Sequence, residues 1–193
     1  MSLHELTDEQ RAIRDVARRF ADEVVAPQAP EWDREHRFPG ELFGRLGELG
    51  LMGVCVPVEH GGAGADYLAY VLVLEELSRA DAGVGVTVAV HTGAGTLPIL
   101  AHGSHEQAER LVPPLAHGDE LAAFALTEAE AGSDAAALRT AVRDGRVTGT
   151  KQWITNGSHA DVVIVFARDE DDRIGAHVVR RGAPGFAAVR EED

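Results

Sequence analysis

The sequence predicts an α+β chain in two segregated parts, an all-α helical domain over residues 1–119 followed by a block of antiparallel strands over 120–193. Three observations carry that reading. Up to about Asp119 the apolar residues recur at helical spacing, and beyond it they alternate. The punctuation changes with the period, from capping residues and prolines to the tight-turn pair Asp144-Gly145. Helices followed by strands exclude a βαβ nucleotide fold. Gly61-Gly62-Ala63-Gly64 agrees, because it lacks GxGxxG spacing and no Lys-Ser/Thr pair follows it, so it reads as a connecting loop.

Thr7 with Gln10 forms a capping-box start, after which Ile13, Val16, Ala17, Phe20 and Val24 share one face until Pro27 ends the helix. A second helix starts at Pro39, buries Leu42, Phe43, Leu46 and Leu49, and stops at Gly50. Asp66 caps a third, whose Leu68, Val71, Leu72, Leu74 and Leu77 are apolar nearly all round, as in a central helix. Ala82 to Ala101 contains no charged residue, yet three glycines at 83, 85 and 93, another at 95 and Pro98 suit a buried helix better than a membrane span. Ser104 with Gln107 repeats the capping box for a short helix reaching Leu111, with Pro113 and Pro114 as its stop. Strands are then expected over Leu121–Leu126, Leu138–Arg143 and Arg146–Lys151, the last two joined at Asp144-Gly145. Ala160–Ala167 and Ile174–Val179 pair across the acidic loop Arg168–Arg173.

Charge and cysteine content narrow the function classes. With 18 Lys+Arg against 32 Asp+Glu among 193 residues, the net charge of −14 repels phosphate backbones, and the densest basic stretches, Arg11–Arg19 and Arg180–Arg181, are interrupted by acids or very short. No nucleic-acid partner is expected. The single cysteine, Cys55, permits neither an internal disulfide nor a cysteine metal cage and fits a reducing cytoplasm. Set in an apolar run, it reads as an inert buried thiol. Met1 to Arg11 has three acids and no apolar run, unlike a secretory signal. His91, His102, His105 and His117 show no metal-ligand spacing, so no metal is expected, and the absence of a Gly-x-Ser-x-Gly elbow removes serine acyl transfer.

Two segments carry chemistry, Ala125-Leu126-Thr127-Glu128-Ala129-Glu130-Ala131-Gly132-Ser133-Asp134 and Trp153-Ile154-Thr155-Asn156-Gly157. Both put small or hydroxyl residues at a strand end, where backbone N–H and side-chain O–H groups can meet an anionic or heteroaromatic ligand. The same residues also suit turns with local hydrogen bonds, with Trp153 in the core.

Ala125 to Ala137 resembles the signature of the acyl-CoA dehydrogenases, flavoenzymes that oxidise acyl thioesters to 2-enoyl thioesters. Leu49-Gly50-Leu51-Met52-Gly53, the loop at Gly61–Gly64, the helix Leu74-Glu75-Glu76-Leu77-Ser78-Arg79-Ala80-Asp81 and Trp153–Gly157 follow in the family's order and spacing, over nearly the whole chain. The resemblance implies that the strands form a flavin-binding, β-barrel-like middle domain, incomplete at its C-terminal end. It implies FAD as cofactor, with Phe124, Leu126 and Thr127 lining the flavin ring and bonding its pyrimidine edge. Gly132 and Ser133 would approach the pyrophosphate, Ser133 also neighbouring the CoA-bearing substrate, while Trp153 lies along the isoalloxazine and Thr155 bonds near N5. Ala129 departs from the pattern, standing where many relatives have Pro.

The family's base is a Glu on a helical bundle after the β domain, so the resemblance places it beyond residue 193 and leaves no catalytic base in this chain, which is expected to be inactive alone. Glu128 and Glu130 are expected to be solvated or locally capping. The partners implied for the complete enzyme are an acyl-CoA, an electron-transfer flavoprotein as acceptor and further copies of itself as a homo-oligomer. Acyl-CoA oxidases and flavin monooxygenases share the architecture, and a truncated, non-catalytic flavin-binding subunit is a third alternative.

Overall fold

A computed structural model describes residues 5–191, in two compact units that divide between Glu120 and Leu121. The first is helical. Helix α1 (Asp8–Phe20) opens with the predicted capping box, Thr7 Oγ1 accepting from Gln10 N at 3.1 Å and Gln10 Oε1 from Thr7 N at 2.9 Å. Gln10 also donates to Asp66 at 2.6 Å, and Asp66 in turn accepts from Ala69 N at 2.8 Å to cap α4 (Tyr67–Ala80). Two helix starts are thus tied through their caps. After α1 a π-turn (Ala21–Val25) shifts the phase by one residue, so Val25 is buried where a continuous α-helix would bury Val24.

A short α2 (Ala29–Glu35), not expected from the sequence, is pinned by buried Trp32. α3 (Gly40–Glu48) buries Leu42, Phe43 and Leu46 as predicted, but Leu49, past its end, is 47% exposed. α4 packs against α1 and α5 (Ala82–Ala89) and buries Tyr70, Leu72, Val73 and Leu77, while Leu68 and Val71 face out. Its buried Glu76 is held ionised by Arg18, which donates at 2.6 Å, and by Arg79 at 3.2 Å. Arg79 also reaches Asp22 at 2.6 Å.

α5 runs through a π-segment (Val90–Thr96) into α6 (Leu97–His102). Together they form the one helix among the described residues that is long and apolar enough to cross a membrane. Its inner face is core, with Val84, Val88, His91, Thr92, Thr96 and Ile99 all buried. His91 bonds the Leu115 carbonyl at 3.0 Å, and burial pushes its pKa down to about 4. α7 (His105–Ala116) has its capping box but does not stop at Pro113 and Pro114. The prolines sit in its last turn, where their carbonyls still accept from His117 and Asp119 at 3.0 Å.

The second unit is a sheet, and it corrects the all-antiparallel expectation. β1 (Ala122–Ala125), β2 (Ala141–Arg143), β3 (Arg146–Thr148), β4 (Val162–Arg168) and β5 (Ile174–Arg180) form an open, mixed sheet rather than a closed barrel. β4 is central. β5 runs antiparallel along one edge, from Val162↔Arg180 to Arg168↔Ile174. The other edge takes β1 in parallel, Ala122↔Val162 through Ala125↔Val165, and then β2, also parallel, at Arg168. Only β2–β3 and β4–β5 join across short turns, as antiparallel pairs can and parallel ones cannot. The loop between β1 and β2 is long enough to return the chain parallel, and it carries the first motif.

Candidate functional site

Strand β1 presents Ala123 and Ala125 to a small core with Ala160, Val163, Val165 and Ile154, so Phe124 points to the opposite face. There its ring meets Phe166 at 4.9 Å between centroids. Beyond Ala125 the chain enters a tight loop, in which Glu128 and Ala131 exchange backbone hydrogen bonds at 3.0 and 3.2 Å.

The loop is organised around the Glu128 carboxylate, which is neither solvated nor a helix cap. Its Oε1 accepts from Thr140 N at 2.9 Å, Thr140 Oγ1 at 2.5 Å and Lys151 Nζ at 2.8 Å, and its Oε2 from Arg139 N at 2.7 Å. Burial works against ionisation, but Lys151, Thr140 and the two amides outweigh it and hold the pKa at about 2. The Lys151 and Glu128 side chains are 9% and 10% exposed. Lys151 also donates to the Leu126 carbonyl at 2.9 Å, and Gln152 N to the Thr127 carbonyl at 2.9 Å. The two motif segments are therefore side by side.

The next residue departs from ordinary backbone. Trp153 adopts φ +59°, left-handed, with its indole 70% exposed. A bulky residue there costs roughly 1–2 kcal/mol. The alternative of a core Trp153 is thereby overturned. Ile154, one position on, packs into the Ala123–Val163 core, and Asn156, also left-handed at φ +67° and buried, donates to the Ala122 carbonyl at 3.0 Å. Trp153 is held out between two anchors.

Of the residues singled out in the sequence, Phe124, Leu126, Thr127 and Thr155 are half-buried around these strand ends, while Gly132 and Ser133 are exposed in the turn after Ala131. Gly132 has no left-handed φ, and a Cβ there would meet nothing within 4 Å. The fold does not require glycine at 132. An open backbone beside a hydroxyl, with a bare aromatic face across from half-buried donors, fits a flavin nucleotide. Lys151 is engaged by Glu128 and the Leu126 carbonyl.

Thr140 and Lys151 were not singled out in the sequence, and Glu128 and Asn156 lay within its two motifs without an assigned ligand role. A signal existed for one of them: Lys151 is the chain's single lysine, every other basic residue among its 18 being arginine. Cys55 is half-buried with its thiol pKa raised by burial, consistent with an inert group.

Residues 7–119 match the family model of the acyl-CoA dehydrogenase N-terminal domain and residues 123–193 that of the middle domain. An acyl-CoA dehydrogenase of Bacillus subtilis (strain 168) is 44% identical over 97% of this chain and 52% of its own length. The mitochondrial short-chain specific acyl-CoA dehydrogenase of Bos taurus is 41% identical over 98% of this chain and 48% of its own. The crystal structure of an acyl-CoA dehydrogenase complexed with FAD from Bacillus anthracis superposes with a TM-score of 0.93 at 36% identity, covering 100% of this chain and 34% of that one. The chain spans about half the length of the curated relatives it matches.

Proposed function

The chain belongs to the acyl-CoA dehydrogenase family, and from that premise we propose that its sheet unit holds FAD in an enzyme that dehydrogenates an acyl-CoA thioester between its α and β carbons. The observation that carries the assignment is Trp153, a large apolar face held in a left-handed conformation and 70% exposed beside the Thr127 loop. Strain kept at an exposed aromatic is a mark of function. Trp153 would supply the flat wall for the isoalloxazine, with Phe124, Leu126 and Thr127 at the pyrimidine edge. Gly132 and Ser133 would admit the pyrophosphate, Ser133 standing also beside the CoA-bearing substrate.

When bound, FAD supplies the hydride acceptor for the β-carbon. Thr155 would donate its hydroxyl where charge gathers, and the Thr127 hydroxyl would fix the ring's orientation. A carboxylate must also take the α-proton. Glu128 is unsuited to that task, because four donors occupy it and its pKa of about 2 leaves it a poor base. Glu130 is exposed and paired with Arg139 at 2.8 Å. In this reading the base stands outside residues 1–193, an electron-transfer flavoprotein in the cytoplasm receives the electrons, and the complete enzyme is a homo-oligomer.

The test is reconstitution of the full-length enzyme with FAD, followed by anaerobic mixing with a panel of acyl-CoAs. Stoichiometric FAD and substrate-dependent bleaching of its visible band are expected; a protein that takes up no FAD would sink the assignment. The 193-residue chain alone should bleach at least 10²-fold more slowly, the lower end of what a general base contributes.

A further inference from the structure

The chain's one lysine is spent on a contact that neither the sequence motif nor the flavin assignment explains. Lys151 precedes Trp153 by two residues, and its Nζ reaches back to the Leu126 carbonyl at 2.9 Å and to Glu128 Oε1 at 2.8 Å. Both side chains of the pair are nine-tenths buried. Beside them, Gln152 N bonds the Thr127 carbonyl. From the far side, Thr140 and the Arg139 amide close on the same carboxylate, and Gly149 lets the chain come close there, since a Cβ on it would lie 2.3 Å from Thr140 Oγ1. One carboxylate thus ties together the loop after β1, the start of β2 and the segment leading into Trp153.

We propose that Glu128 and Lys151 are positioning residues of the FAD site, a buried ion pair that locks the Leu126–Ser133 loop to the Trp153–Thr155 segment and so sets the register of the flavin-facing groups on both. The inference rests on the flavin reading given above. The pair touches no ligand itself. Next to the clamp the Thr127 loop and the Trp153 segment share the backbone hydrogen bond from Gln152 N to the Thr127 carbonyl, and the ion pair adds a buried side-chain tie to it. Lysine suits the place because a compact ammonium on a straight stem can serve a carbonyl and a carboxylate at once, where the planar guanidinium used everywhere else in this chain demands a wider, forked partner. Glutamine cannot replace Glu128, because whichever oxygen became the NH₂ would face a donor, Arg139 N on one side or Thr140 and Lys151 on the other.

The experiment compares full-length wild type with Glu128→Gln, Lys151→Met and the double variant. In flavin-free protein, the amides of Thr140 and Gln152 should exchange with solvent at least tenfold faster in either single variant, while those of Val163 to Val165 in β4 stay within twofold. In the FAD-loaded enzyme, the Kd for FAD should rise at least tenfold and the visible band of the bound flavin should change shape. The double variant should be no worse than the weaker single, since each removes the same contact. Exchange rates, FAD affinity and spectrum all within twofold of wild type overturn the proposal, as do penalties that multiply in the double variant. If these variants fail to fold, Thr140→Val, which takes a single donor from Glu128, decides the matter: a raised Kd with an altered spectrum supports the clamp, and wild-type values overturn it. A wild type that takes up no FAD would instead fail the flavin reading, and the flavin-free exchange then judges the clamp on its own.

Discussion

Two glycine-bearing loops, one in each unit, differ in what their glycines face. In the helical unit, Gly61–Gly64 is used up by its own fold. Gly62 N bonds the Pro57 carbonyl at 3.2 Å, Ala63 N that of Gly53 at 3.0 Å and Gly64 N that of Val56 at 2.9 Å. A Cβ on Gly62 would fall 2.1 Å from the Val56 carbonyl oxygen. In the sheet unit, Gly132 faces open space. A glycine forced by its neighbours belongs to the fold, whereas one that nothing in the chain demands is free for a ligand.

The sharpest way to break that contrast is a methyl group in each loop. Gly62→Ala should cost about 3 kcal/mol or more, because backbone cannot move aside as a flexible side chain can. Gly132→Ala should leave stability within about 0.5 kcal/mol while weakening FAD retention in the full-length enzyme. Urea midpoints and bound-flavin content check both. A tolerated Gly62→Ala, or an unfolded Gly132→Ala, would undo the distinction.

Two of the chain's titratable groups, one in each unit, are held in opposite charge states. His91 is kept neutral in the helical core and Glu128 ionised in the sheet loop. Both folded pKa values lie below the ordinary ones, so in each case the unfolded chain binds more protons and stability falls with acid. For His91 the loss runs from the ordinary 6.5 down to about 4, and for Glu128 from 4.5 down to about 2. Each is worth about 3 kcal/mol when complete. Urea midpoints should therefore drop between pH 6.5 and 4, and His91→Gln should flatten that first slope while leaving the fall below pH 4.5. An unchanged slope in His91→Gln would show that the imidazole is not the group responsible.

What the sequence revealed follows the range of the interaction. Both capping boxes and the Asp66 cap depend on residues three apart and were legible; Asp144-Gly145 named its own hairpin. The π-turns were hidden because each inserts a residue without changing composition, visible only as burial passing from Val24 to Val25. Helix α2 was hidden because it follows Pro27 closely, carries Pro30 in its first turn and is too short to show a period. Parallel pairing of β1 and β2 with β4 is set by residues some forty and thirty positions away, which no local pattern encodes. Within the site, the ligand-facing residues were readable as a motif, but their support was not. Lys151 read as a strand end, and its contacts with Leu126 and Glu128, more than twenty residues earlier, give it a role.

The tryptophans extend the contrast. Trp32 is 5% exposed and pins α2, so its loss should cost about 3 kcal/mol. Trp153→Ala should leave stability nearly unchanged, since little of it is buried, and should raise the Kd for FAD about tenfold, roughly 1.4 kcal/mol. A destabilised Trp153→Ala with normal flavin binding would return that residue to the core.

Thr155→Val carries the smallest effect and the most specific one. Thr155 is half-buried, two residues past the held-out indole and next to the anchored Asn156, so the isosteric change keeps shape and removes one hydroxyl. If that hydroxyl only filled space, acyl-CoA binding and flavin reduction would both stay near wild type. If it donates where negative charge develops, the loss falls on the transition state: the rate of flavin reduction should drop more than twofold, about 0.4 kcal/mol of barrier or more, while acyl-CoA affinity changes less. Single-turnover reduction under anaerobic conditions separates the two quantities. Equal losses in both would make Thr155 a binding residue, and a rate within twofold of wild type would remove it from the chemistry.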